Sequence, residues 1–185
     1  MTALIVVGVI LLLALVWVIA TYNNLVNLRN FVKESWAGID TELKRRYDLI
    51  PNLVKTVQGY AQHEQETLRL LVEARNRAVA STGSPESQAK DENALVGRLK
   101  EFLALVENYP NLKASENFLK LQKELGNTED RIQAARRFYN ANVRDLNTRI
   151  EVFPSNLIAN AFGFEKAQFF EIEAAVERAA PQVAL

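Results

Sequence analysis

From Ala3 to Ala20 the chain carries no charged or strongly polar side chain, only Ala, Leu, Ile, Val, Gly and Trp17. As a helix this run rises about 27 Å, close to the roughly 30 Å hydrocarbon core of a bilayer. A buried helix of a soluble protein would show a polar interruption over that length. Trp17 and Tyr22 stand at its C-terminal end, where amphipathic rings favour the headgroup level. The sequence therefore predicts a membrane anchor over residues 1–22. The competing reading is a cleaved signal peptide, since Val18-Ile19-Ala20 offers permissible cleavage residues. Against it, Met1-Thr2 supplies no basic residue and the apolar run exceeds the usual signal length.

Arg29 and Lys33 follow the run while no Lys or Arg precedes it, so the positive-inside rule puts the remaining chain in the cytoplasm. Lys plus Arg and Asp plus Glu both number 22. That balance argues against a nucleic-acid partner, which needs a basic footprint. There is no cysteine, which excludes disulfides, thiolate catalysis and cysteine zinc sites.

Residues 23–152 read as helices throughout, with no strand pattern. Leu28, Val32, Trp36, Ile39, Leu43 and Tyr47 recur at helical spacing and define one apolar stripe. Lys44-Arg45-Arg46, then Asp48 and Pro51, suggest a helix end, a cap and a new start. The apolar phase also runs on through Ile50 and Val54, so a kinked continuous helix is the other reading. With a turn there, a second helix spans about residues 52–80, and residues 81–85 are a loop. A third carries Leu95, Leu99, Phe102, Val106 and Tyr109 and stops before Pro110. The fourth and longest is held by Phe118, Leu121, Leu125, Ile132, Ala135, Tyr139, Val143, Leu146 and Ile150, with Thr128 the polar member. Lengths of about 25, 29, 23 and 38 residues suit an up-down-up-down arrangement. The expected fold is all-α: an N-terminal transmembrane helix followed by a long antiparallel four-helix bundle.

Residues 153–185 form a separate C-terminal segment and tail. After Phe153-Pro154, Ser155 can cap a short amphipathic helix bearing Leu157, Ile158, Ala161 and Phe162, with Phe164 beyond it. In an up-down-up-down chain this segment returns to the membrane end. Trp17, Tyr22, Leu157, Ile158, Phe162 and Phe164 are accordingly the expected membrane-interface residues, the other reading being plain packing of the C-terminal face against the helices or a neighbouring subunit.

Several stretches resemble the LemA family. They are Tyr22-Asn23-Asn24-Leu25-Val26, the run from Lys44 to Val54, Tyr60 with His63-Glu64, Asn108-Tyr109-Pro110, Glu116-Asn117-Phe118, and the run from Phe153 to Ala159. The resemblance covers nearly the whole chain in order. It implies a bacterial membrane protein with one N-terminal span and a four-helix bundle, and it supplies no catalytic residues to carry over.

A search for chemistry finds little. His63 is the sole histidine, and position 67 is Thr, so the zinc-protease spacing fails and a helix-surface histidine is the ordinary reading. No catalytic, cofactor or metal residues are assigned. Lys44, Arg45 and Arg46 form the densest basic cluster and are the candidate partner contact, set against a solvated helix end. The expectation is a non-enzymatic scaffold in the bacterial cytoplasmic membrane, contacting lipid and self-associating to organise or remodel the bilayer. The alternative is an adaptor or sensor presenting its helices to another membrane protein, such as a protease or signalling component.

Overall fold

A computed structural model of the chain describes residues 1–61 and 63–173, and among these there are helices and no strands. The helices are α1 (Thr2–Gln58), α2 (Gln65–Ala80), α3 (Pro85–Val106), α4 (Pro110–Lys113), α5 (Glu116–Glu151) and α6 (Ser155–Ala161). The first part of α1 is long and apolar enough to cross a membrane, and none of that apolar window is buried among the described residues. The part of the predicted C-terminal tail from residue 174 lies outside the described residues.

The turn expected between Asp48 and Pro51 is absent: α1 passes through Pro51 and ends at Gln58, and the connection to α2 follows there instead. Two features account for this. The buried stripe keeps helical phase across the proline, through Leu43, Ile50, Leu53 and Val57. A helical proline also deprives the carbonyl four residues earlier of its N–H donor. Here that carbonyl is Tyr47 O, and the Arg75 guanidinium of α2 donates Nε–H to it at 3.2 Å. A side chain 28 positions downstream in sequence thus replaces the missing backbone bond.

The chain divides into two compact units. Unit 1 comprises Met1–Ala37 and Phe138–Phe169. Its core joins Leu25 and Val32 of α1 with Tyr139, Val143, Leu146 and Ile150 of α5. The Trp36 ring meets Tyr139 edge-on at 5.3 Å. Unit 2 comprises Gly38–Arg137 and the chain from Phe170. There α2 and α3 form a hairpin around the loop at residues 81–84, and Ser84 caps α3 through the Ser87 N–H with Pro85 in the first turn. Leu68, Leu71, Leu95, Leu99, Phe102, Phe118, Leu125 and Ile132 fill this core. Thr128 sits on the buried stripe without cost because its hydroxyl donates to Glu124 O at 2.9 Å.

Ser155 does not cap α6. Its hydroxyl lies 2.7 Å from Arg149 O and 3.0 Å from Val152 O, where it closes the last turn of α5. After Gly163, whose φ of 66° allows the reversal that ends α6, the described chain is non-helical. Side chains, asparagine amides among them, bond part of its backbone. In unit 1 the Asn147 amide accepts from Ala167 N–H and donates to Ala167 O, at 2.8 and 2.9 Å. In unit 2 Asn93 donates to Glu171 O at 3.1 Å and accepts from Glu173 N–H at 2.8 Å.

Candidate functional site

The basic cluster read from the sequence separates into three different environments. Lys44 is exposed and pairs with Asp40 one turn back at 2.7 Å, and Arg45 lies near Glu42. Arg46 has no exposed surface at all. Its place on the surface, either as a partner contact or as part of a solvated helix end, is therefore corrected. Residue 46 falls three positions after Leu43 and four before Ile50, on the buried face of a helix that does not end there.

Arg46 lies at the centre of a charge network in unit 2. Its Nη1 donates to both carboxylate oxygens of Glu129 on α5, at 3.1 and 3.2 Å. Its Nη2 donates to Glu92 on α3, whose other oxygen accepts from the Tyr47 hydroxyl. Glu92 and Glu129 are each 2% exposed. Burial alone would lower the Arg46 pKa, but the charges of Glu129 and Glu92 outweigh it and hold the guanidinium above its ordinary value. Burial, reinforced by the Glu92 charge, pushes the Tyr47 phenol up. A fork of donors meeting two carboxyl groups fixes α1 against α3 and α5 in a single register. The sequence did contain a signal for these partners. Glu92 continues the α3 stripe three residues before Leu95, and Glu129 lies between Leu125 and Ile132 at steps of four and three.

The network is sealed from solvent, so it offers no access to a substrate. His63 is exposed in the connection between α1 and α2, not on a helix surface as expected. Its neighbour Glu64 accepts from the Tyr109 hydroxyl at 3.2 Å. Among the described residues no group of three potential metal ligands comes together.

In unit 1 the structure brings Tyr22 together with two of the expected interface residues of the C-terminal segment. The Tyr22 ring lies 4.9 Å from Phe162 and 5.8 Å from Phe164, centroid to centroid. Trp17, Tyr22, Leu157 and Phe162 are exposed, and Ile158 is half-buried. Phe164 differs: it is buried beneath the Arg29 guanidinium, 5.1 Å from its ring centroid, and so does not face outward with the others. Proximity of residues 22 and 162 follows from the return of α5, as expected from the alternation of helix directions.

The same chain resembles known proteins at the sequence level. It is 27% identical to Magnetosome protein MamQ 2 of Paramagnetospirillum magneticum over 88% of its own length and 71% of that protein's. It is 27% identical to Protein LemA of Metamycoplasma hominis, with 80% of this chain and 68% of that protein aligned. Magnetosome protein MamQ of Magnetospirillum gryphiswaldense is 24% identical, over 80% of this chain and 64% of the relative. The sequence profile of the LemA family matches residues 35–185, which include the Arg46 network and the segment carrying Phe162. The chain belongs to the LemA family.

Proposed function

We propose that this protein is a non-enzymatic membrane scaffold. In this reading α1 anchors it in the bacterial cytoplasmic membrane, with the remaining helices on the cytoplasmic face in an antiparallel four-helix arrangement that self-associates. The observation that carries the proposal is the fate of the charged residues best suited to chemistry. Arg46, Glu92 and Glu129 are consumed in a sealed network that fixes helix register, while the apolar run of α1 is not buried among the described residues. Such a molecule invests its buried charge in rigidity. Phe31 and Phe138, 53% and 62% exposed in unit 1, supply apolar surface for contact between copies. The MamQ relatives are named as magnetosome proteins, a name that specifies no reaction, which supports an organising role for this chain over an enzymatic one.

Two measurements test the proposal. Full-length protein should stay in the membrane pellet through alkaline carbonate washing. After mild detergent extraction, light scattering should give particles of several chains. Particles of single-chain mass would refute self-association, and co-purification of such particles with another membrane protein would favour the adaptor role.

A further inference from the structure

The membrane-proximal end of unit 1 carries a surface that one spanning helix does not explain. Val152, Phe153, Leu157 and Phe162 are 41%, 78%, 57% and 56% exposed, although they follow one another closely around α6. Phe162 touches Tyr22, two residues beyond the end of the apolar run. Beside Val152 lies a cleft of about 360 Å³, bounded by Asn24 and Leu28 of α1 and by Arg144, Asp145 and Arg149 of α5. Neither arginine side chain is in an ion pair among the described residues, and Arg149 Nε is buried with no hydrogen-bond partner. Helix rise puts Asn24 about 6 Å and Leu28 about 12 Å beyond Ala20. The headgroup layer extends roughly 5–8 Å outside the hydrocarbon on each side, and long arginine side chains reach back towards it.

We propose that this surface is a second membrane contact, in which Val152, Phe153, Leu157 and Phe162 enter the headgroup–acyl boundary and Arg144 and Arg149 hold the phosphate of an anionic phospholipid. Lipid is the occupant because the cleft begins at Asn24, about one helical turn beyond Ala20, where the apolar run ends. Apolar side chains also flank unpaired guanidinium groups there, which matches a phosphate ester bearing acyl chains. Asp145 sets one negative charge against two positive ones in the cleft. The site therefore carries one net positive charge, suited to a headgroup with one net negative charge.

The proposal rests on the anchored reading, and the experiment separates the two. Full-length protein with Phe162→Trp, Trp17→Phe and Trp36→Phe is reconstituted in phosphatidylcholine vesicles containing phosphatidylglycerol, with bromine on the acyl chains of one lipid or the other. A parallel protein with Trp36→Phe alone keeps Trp17 as the reporter of the span. The expected result is quenching of the residue-162 tryptophan by both lipids, about fivefold more effective per mole for brominated phosphatidylglycerol. Arg144→Gln with Arg149→Gln should abolish that preference while Trp17 quenching is unchanged. Equal quenching by the two headgroups overturns the phosphate assignment. Unquenched, blue-shifted emission from position 162 beside a quenched Trp17 overturns the second contact and assigns the patch to protein packing. An unquenched Trp17 refutes the anchor itself. Leu157→Trp, at an exposed position outside the Tyr22 contact, provides the same readout independently.

Discussion

The Arg75 bond to Tyr47 O can be isolated by pairing two substitutions. Arg75→Met keeps most of the aliphatic stem and removes the donor, leaving a part-buried carbonyl without its partner. A hydrogen bond from a charged donor is worth about 1.5–3 kcal/mol, and partial exposure places the expected loss near 2 kcal/mol. For a chain of this size that corresponds to a fall in Tm of about 4–8 °C. In a Pro51→Ala background the backbone N–H restored at position 51 reaches Tyr47 O along the helix, so the same Arg75→Met change should cost less than about 0.5 kcal/mol. The coupling, about 1.5 kcal/mol, is read from the helical circular-dichroism melts of the four full-length proteins in one detergent. Equal losses in both backgrounds would mean that Arg75 acts only through packing, and the account of why α1 survives its proline would be wrong.

Arg46→Met should strand the Glu92 and Glu129 carboxyl groups and cost about 3–5 kcal/mol, measured by the same melts; a loss under about 1 kcal/mol would deny the network its role in register. Gly126→Ala should stabilise the protein by about 0.5–1 kcal/mol in those melts, because a Cβ there meets no atom within 4 Å and the residue is helical. Burial pushes the Tyr139 phenol up to about 12 from an ordinary 10.0. The folded state therefore favours the protonated form, and this contribution is intact below about pH 10 and lost as pH rises through about 12. Alkaline melts of Tyr139→Phe should accordingly show a shallower decline across that interval than the parent; identical slopes would refute the assignment.

The long apolar helix and the stripes were legible because each is a local pattern of apolar residues read against a fixed helical period, and the return of the chain to Tyr22 was legible from the alternation of helix directions. The end of α1 was not. Cap-like Asp48 and helix-breaking Pro51 are also local signals, but the group that neutralises the break, Arg75, lies on another helix. Arg46 was misread for a related reason. Its neighbours Lys44 and Arg45 are surface residues, and a run of three basic residues looks solvated until each is set on the helical wheel. Glu92 and Glu129 stood on apolar stripes, and only an acidic residue in phase with a core indicates a buried cation opposite. Ser155 looked like a cap because it follows a proline, whereas the carbonyls it serves belong to the preceding helix.

Asn147 and Asn93 have a consequence for how this chain avoids misassembly. An extended stretch in a helical protein presents a row of unpaired amide and carbonyl groups, which can template strand addition from another chain. Each asparagine presents one carbonyl and one NH₂ to that row and so occupies the bonds a neighbouring strand would make. Deamidation reverses this protection at a single atom. Conversion of Asn147 to aspartate replaces the donor with a second acceptor facing Ala167 O, turning a bond into a repulsion. Chemical ageing at these two side chains would then free backbone groups at Ala167, Glu171 and Glu173 for pairing with another chain.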